Sequence, residues 1–278
     1  MIRPEQNRLF AVIGNPVRHS LSPIMMNAAF RAMGMPAMYT AFYVDELASD
    51  LNLLHKIGFS GLSVTIPYKE MTCRLAEEID ETAEEIGAVN TLRRTNLGWQ
   101  GRNTDWLGAL HALSRVCEVG GRNALILGAG GAARAVAYGL NRAGANVTIS
   151  NRCIERGLTL SKEVRGEFIP LDSLDGNGPN YEIIVQCTSV GLEGQRSRPL
   201  VSDSFFNPNM TVMDIVYRPR WTEFSKMAKA AGCKIVSGLD MLLYQGVAQL
   251  EWWLGHQIPD KPAITAMREA LEEAAGDE

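Results

Sequence analysis

The run Gly128-Ala129-Gly130-Gly131-Ala132-Ala133 is the clearest chemistry-bearing motif in the chain. It follows the apolar run Asn123-Ala-Leu-Ile-Leu127 directly and opens a helical stretch, the context in which a glycine turn binds a pyrophosphate. Gly128 permits the tight turn, Gly130 lets the main chain approach the phosphates, and Ala133 is small enough for close helix-strand packing. The helix start adds free amides and partial positive charge. An NAD site would carry a carboxylate about twenty residues on, at the end of the next strand, to bind the ribose diol. Here that strand ends Ser150-Asn151-Arg152. A guanidinium there pairs with a 2′-phosphate and stacks on adenine, so NADP is the predicted cofactor.

A second set of polar residues lies in the first half. Ser20 and Ser22 flank one leucine where a strand gives way to a helix, so their hydroxyls can hold a carboxylate beside helix amides. Ser22 followed by Pro23 reads as an N-cap with proline in the first helical position, but capping does not account for the pair. Thr65 and Lys69 flank Pro67 after a strand, Asn90 ends Gly87-Ala-Val-Asn90, and Asp105 follows Asn103-Thr104 at a helix start. Singly, these read as a solvated charge, a turn residue and a helix-dipole residue.

The elements that must position these groups form two halves. Each alternates short β-branched or apolar runs with amphipathic stretches, the pattern of α/β layers. In the first half strands are expected at 9–13, 38–44, 62–66 and 88–93, with Pro67 ending the third. Helices are expected at 22–33 and 46–57, with a solvated acidic helix over 77–85. A long helix from Asn103-Thr104 to about 116 links to the second half. There, strands are expected at 123–127, 146–150, 183–187, 211–215 and 234–236, with a helix from the glycine motif to about 143 and two terminal helices at 241–254 and 262–274. The run 123–127 is apolar enough for a central parallel strand buried on both faces.

Composition narrows the function classes. The 278 residues carry 27 Lys+Arg against 31 Asp+Glu, a formal charge of −4, which argues against nucleic acid as the main partner. With 46% hydrophobic and 21% charged residues the chain can build an ordinary core, and its length predicts two domains. No stretch approaches ~18 uninterrupted apolar residues, and residues 1–14 lack the apolar core of a secretion signal, so a soluble cytoplasmic protein is expected. Five scattered cysteines without a Cys-x-x-Cys, and four histidines without ligand spacing, predict neither metal nor redox dithiol. The thiols read as buried structural residues of a reducing compartment.

Taken together, the motifs resemble the shikimate dehydrogenase family nearly end to end. The matching pieces are Gly14-Asn-Pro-Val-Arg-His19-Ser20-Leu-Ser22-Pro23, Val64-Thr65-Ile-Pro67-Tyr-Lys69, Gly87-Ala-Val-Asn90-Thr and Gly101-Arg-Asn103-Thr-Asp105. They continue with Gly128-Ala-Gly130-Gly131-Ala, Asn151-Arg152, Thr188-Ser-Val-Gly191, Asp214-Ile-Val-Tyr217 and Gly238-Leu-Asp-Met-Leu-Leu-Tyr-Gln245. The resemblance implies NADP-dependent interconversion of shikimate and 3-dehydroshikimate; with the composition already arguing against nucleic-acid and membrane partners, a monomer or homodimer acting on a small cyclohexene carboxylate is expected. It implies a discontinuous substrate domain over 1–103 and 238–278 and a Rossmann NADP domain with a central parallel sheet over 104–237. Lys69 and Asp105 are similar to the family's catalytic pair. Ser20, Ser22 and Tyr217 look like carboxylate contacts, and Ser63, Thr65, Asn90 and Gln245 like contacts to the ring hydroxyls or the lysine. Gly128, Ala129, Gly130, Gly131, Ala132, Asn151, Arg152, Thr188, Ser189 and Gly238 fall among the cofactor contacts.

Three positions depart from the family pattern: Ser63 where asparagine is usual, Met26 for a frequent histidine, and Cys153 where threonine is common. The shorter Ser63 is expected to leave a gap for water or a larger ring substituent. The alternatives are therefore a branch acting on quinate or aminoshikimate, or a non-catalytic NADP-binding regulator. A dehydrogenase of a pterin-linked one-carbon carrier would leave Ser20, Ser22 and Gln245 without purpose.

Overall fold

The computed structural model describes residues 8–174, 180–192, 199–258 and 260–276, so residues 1–7 of the stretch read for a secretion signal lie outside it. The chain divides into two compact units, 1–104 with 245–274 and 105–244 with 275–278.

The first unit runs β1 (Arg8–Gly14), α1 (Ser22–Ala32), β2 (Ala37–Tyr43), α2 (Leu47–Ile57), β3 (Gly61–Val64), α3 (Lys69–Leu75), β4 (Glu78–Ile79), α4 (Glu81–Ile86), β5 (Thr91–Arg94) and β6 (Trp99–Arg102). Its sheet has the order β2-β1-β3-β5-β6-β4. β1 runs parallel to β2 and β3, while β5 is antiparallel to β3 and β6. Alternation along the strands divides the core. Ala11, Ile13, Leu62 and Val64 pack against Leu47, Leu51 and Leu54 of α2 on one face. On the other, the Phe10 ring lies 5.4 Å from Phe30 of α1 and 4.9 Å from Trp253.

The second unit contains α5 (Asp105–Ser114), β7 (Asn123–Leu127), α6 (Gly131–Arg142), β8 (Asn146–Asn151), α7 (Ile154–Glu163), β9 (Glu167–Pro170), β10 (Ile183–Gln186), β11 (Thr211–Asp214), α8 (Glu223–Ala230) and β12 (Lys234–Ser237). All six strands are parallel, in the order β12-β11-β10-β7-β8-β9. Counted from β7 this is the doubly wound order 3-2-1-4-5-6 of dinucleotide-binding sheets. Ala124 and Ile126 of β7 enter one core cluster and Leu125 and Leu127 the other, which is why that run is apolar throughout. The last helices are α9 (Gly238–Leu254), which begins in the second unit and ends in the first, and α10 (Thr265–Ala275).

Several expectations are corrected. Residues 77–85 are not one helix: Glu78–Ile79 pair with β6, and Asp80 then caps the short α4 by accepting from the Ala83 amide at 2.8 Å. The N-cap of α1 is Leu21 and Ser22 is already helical, so the Ser22 side chain does not cap. β3 stops at Val64, which leaves Thr65 and Ile66 in the loop before α3. All five cysteines are free thiols, but only Cys187 and Cys233 are buried; Cys73 and Cys117 are half-buried and Cys153 is exposed. Among the described residues no helix is long and apolar enough to cross a membrane.

Candidate active site

In the first unit the polar residues collect where β1 and β3 end and β5 begins. Ser63, Thr91 and Arg102 are in register across β3, β5 and β6, so the segments that leave these strands start side by side. The loops after β1 and β3 are stitched together by Asn15 N–H to Ile66 O and Thr65 N–H to Ile13 O, at 3.0 and 2.9 Å. A Cβ on Gly14 would collide with Thr65 Cγ2, so only glycine allows this approach. The start of the segment that leads to Ser20 and Ser22 is therefore tied to the one that leads through Thr65 to Lys69. Within the first of these, Ser22 N–H donates to Ser20 Oγ at 3.3 Å.

Asn90 is the hub. Its Oδ1 accepts from Thr104 N–H at 2.8 Å and from the Thr91 hydroxyl at 2.7 Å. Its Nδ2 donates to Thr104 Oγ1 at 3.0 Å and Gln245 Oε1 at 3.4 Å. The neighbouring Val89 N–H donates to the Lys69 carbonyl at 2.9 Å, which ties the start of α3 to the hub. Asn103 holds its own turn by donating to Ala88 O at 2.8 Å. Asp105 is the residue after Thr104 and opens α5, buried.

Helix α9 lies along the Gly61 and Ser63 face of β3. Residues four apart on a helix rise about 6 Å, and residues two apart on a strand advance about 6.6–6.8 Å. Trp253 accordingly meets Gly61, where a Cβ would lie 2.5 Å from Nε1, while Gln249 meets Ser63 and Gln245 meets Asn90. The expected gap beside Ser63 does not exist. The Ser63 hydroxyl accepts from Tyr39 OH and donates to Gln249 Oε1, both at 2.6 Å.

The second unit offers main chain where the first offers side chains. Gly128 has φ +120°, and a Cβ on it would lie 3.2 Å from Cys187 and Thr188, so the glycine turn and the loop after β10 meet at the point where the strand order reverses. Gly130 is the N-cap of α6 with no side-chain cap bond, and a Cβ there would meet nothing within 4 Å. Open space thus lies before the free amides of α6, and these residues fit a bound pyrophosphate. Ala129 and Ala133 are buried, and Gly131 and Ala132 form the first turn of α6. Arg152 is exposed at the end of β8, in a turn held by Asn151 Nδ2 to Cys153 O at 2.9 Å.

Thr188 and Ser189 sit on a loop fixed by Gln186. Its Oε1 accepts from Thr188 N–H, and its Nε2 donates to Val190 O at 2.9 Å and Asp214 Oδ1 at 3.2 Å. Asp214 also accepts from Thr222 Oγ1 at 2.5 Å and Val216 N–H at 2.9 Å. Burial pushes its carboxyl up to about 6, against these three hydrogen bonds, which pull it down. Gly238 is forced by space, since a Cβ would lie 2.7 Å from Asp214 O. Tyr217 is half-buried in the loop after β11.

The first unit thus brings together Ser63, Asn90 and Gln245 through hydrogen bonds, with Ser20 and Thr65 on loops that lead into α1 and α3, where Ser22 and Lys69 are the first residues. Asp105, Tyr217 and the glycine-motif residues belong to the second unit. Tyr39, Thr91, Thr104 and Gln249 join the network without having been singled out in the sequence. A signal for Gln249 existed: it and Gln245 are amide side chains four apart, on one face of a helix, within the mostly apolar run 241–250. Among the described residues no cluster of His, Cys, Asp and Glu could hold a metal.

Comparison with known proteins agrees with this geometry. Residues 12–92 match the shikimate dehydrogenase substrate binding domain, 111–207 the shikimate / quinate 5-dehydrogenase model and 238–272 the shikimate 5'-dehydrogenase C-terminal domain. The shikimate dehydrogenase (NADP(+)) of Syntrophobacter fumaroxidans is 59% identical over 100% of this chain and 98% of its own. A crystal structure of a shikimate dehydrogenase in complex with NADP+ is similar at TM-score 0.90 and 35% identity, covering 100% of this chain and 98% of its own. The Thermus thermophilus enzyme in complex with NADP(H) and shikimate gives TM-score 0.86 and 36% identity, covering 96% and 99%. The chain belongs to the shikimate dehydrogenase family.

Proposed function

We propose that this protein interconverts shikimate and 3-dehydroshikimate with NADP(H). The observation that carries the reading is the 59% identity, over essentially the full length of both chains, to a shikimate dehydrogenase (NADP(+)). The Asn90 hub and the glycine turn supply a physical place for each half of the reaction.

NADP, when bound, supplies a hydride to or takes one from the ring carbon. Gly128, Ala129, Gly130, Gly131 and Ala132 would hold its pyrophosphate on the amides of α6, and Arg152 its 2′-phosphate, with Asn151, Thr188, Ser189 and Gly238 shaping the rest of the site. On the substrate side, Ser20, Ser22 and Tyr217 bind the carboxylate, and Thr65, Asn90 and Gln245 bind ring hydroxyls. Lys69 passes a proton to the carbonyl oxygen in reduction and receives it in oxidation, and Asp105 orients the Lys69 amine. Lys69 and Asp105 flank the hub through one hydrogen bond and one peptide bond respectively: Lys69 O accepts from Val89 N–H, and Asp105 follows Thr104. Domain boundaries near 103 and 238 fit this division of labour. The free thiols suit a reducing cytoplasm.

The test is turnover followed at the NADPH absorbance band, with shikimate, quinate and aminoshikimate, each with NADP and NAD. The expected result is the highest kcat/KM for shikimate with NADP. A higher value for quinate or aminoshikimate changes the substrate, and absence of turnover with all three leaves an NADP-binding regulator.

A further inference from the structure

We infer that Gln249, held by Ser63 and Tyr39, is a positioning residue that acts with the Thr104 amide to hold the orientation of Asn90 and so the affinity for the substrate. The inference rests on the proposed function, because it takes Asn90 as a substrate contact.

The hydrogen bonds behind the hub run in one direction. Tyr39 OH donates to Ser63 Oγ, and Ser63 donates to Gln249 Oε1. Gln249 Nε2 donates to Thr91 Oγ1 at 3.0 Å and to Asn90 O at 3.4 Å. Thr91 then donates to Asn90 Oδ1, and Asn90 Nδ2 donates to Gln245 Oε1. A hydroxyl has a single hydrogen to give, so each donation fixes the next. With its oxygen taken by Ser63, Gln249 can present only hydrogens to Thr91, and the Thr91 hydrogen goes to Asn90 Oδ1 at 2.7 Å, closer than Thr104 Oγ1 at 3.3 Å. The Asn90 amide, whose Oδ1 also accepts from Thr104 N–H at 2.8 Å, is thereby held from both sides with Nδ2 toward Gln245.

Tyr39, Gln249, Asn90 and Thr91 are each no more than 2% exposed and Ser63 is 6% exposed, so water cannot replace a missing member cheaply. The layer spans β2, β3, β5 and α9, and nothing local in those elements requires it. Tyr39 packs in the aromatic core, with its ring 6.4 Å from Trp253, and its hydroxyl is the outermost donor. Ser63 is short because Gln249 fills the space that a longer side chain on β3 would need.

Two variants test this, each measured against the unmodified protein for kcat, shikimate KM, NADP KM and thermal midpoint. Gln249→Met keeps the volume and removes the donors. The expected result is a shikimate KM raised about three- to tenfold, the size of one or two lost neutral hydrogen bonds, with kcat and NADP KM within about twofold. Gln249→Glu reverses the chain when ionised: the carboxylate demands the Thr91 hydrogen and takes it from Asn90. Once protonated, it donates to Thr91 as the amide does. Its shikimate KM, divided by the unmodified protein's at the same pH, is expected to fall by several-fold as pH drops from about 9 to 6, because burial raises a carboxyl's titration into that range. A merely structural role would not give that ratio a pH dependence.

A Met variant with unchanged KM, or a Glu variant with a flat ratio, overturns the inference. If the Glu variant does not fold, the Met variant alone decides. Should the unmodified protein fail to turn over shikimate, it is the proposed function that fails instead.

Discussion

The two units solve recognition with different materials. In the first, the candidate substrate site is made of side chains held by other side chains, with Asn90 at the centre and Thr91, Thr104, Gln245 and Gln249 around it. In the second, the candidate cofactor site is made of main-chain amides and of glycines that keep side chains away. A ring bearing several hydroxyls must be read by donors and acceptors placed one by one, whereas a pyrophosphate can be met by a helix start. Single side-chain changes should therefore act selectively in the first unit, and added Cβ atoms or reversed charges in the second.

The largest effect is expected from Lys69→Ala, which should lower kcat by about 10²- to 10⁴-fold, the usual contribution of a positioned acid or base, with a smaller change in NADP affinity. Steady-state kinetics and an NADP titration check both halves. Near-normal kcat would reduce Lys69 to a solvated charge.

Asp214 sharpens the comparison, because it places a buried side-chain network inside the unit otherwise built on main chain. Its folded value of about 6 lies above the ordinary 3.8, so the folded state holds the proton more tightly. Its contribution to stability is full below about pH 3.8 and is lost as pH rises through about 6, amounting to at most about 3 kcal/mol. Asp214→Asn should flatten that part of the pH dependence. Thermal midpoints of both proteins at about pH 4.5 and about pH 7.5 test it, and identical slopes would show that Asp214 titrates as an ordinary carboxylate.

Arg152→Asp should raise the NADP dissociation constant by about one to two decades, from the loss of a charge-assisted pair worth roughly 1.5–3 kcal/mol, and shift preference toward NAD. An unchanged NADP/NAD ratio would move the 2′-phosphate site elsewhere. The smallest effect on folding is expected from Gly130→Ala. Open space around that position should leave the thermal midpoint unchanged, while NADP binding weakens about tenfold because the methyl occupies room beside the phosphates. A lowered midpoint with unaltered NADP affinity would contradict the reading of the turn.

The second unit was the more legible in sequence, and the contrast in materials explains why. β7, the glycine turn, α6 and β8 are contiguous, so the buried run, the glycines and Arg152 can be read in one pass along the chain. The network of the first unit joins Ser63 to Gln249 across 186 positions, and no local pattern carries that. Tyr39 and Thr91 look like ordinary strand residues, and Ser63 alone suggested a gap that Gln249 in fact fills. The acidic stretch 77–85 failed for a similar reason. A two-residue strand at Glu78–Ile79 exists only because β6 lies beside it, and sequence periodicity cannot show a partner about twenty residues away. Helix α3 went unread because at seven residues tertiary packing decides it, whereas α7 and α8 do carry an apolar face, with Leu160 of one and Phe224 and Ala228 of the other buried, that also went unread.

The division of labour is tested most directly by Asn90→Ala, measured for NADP dissociation constant and for kcat/KM with shikimate in the same preparation. Removing the hub breaks several neutral hydrogen bonds worth about 0.5–1.5 kcal/mol each, so kcat/KM should fall about 30- to 1000-fold. NADP binding should stay within about twofold, since the glycine turn belongs to the other unit. Loss of NADP affinity in parallel with kcat/KM, or retention of both, would contradict the account.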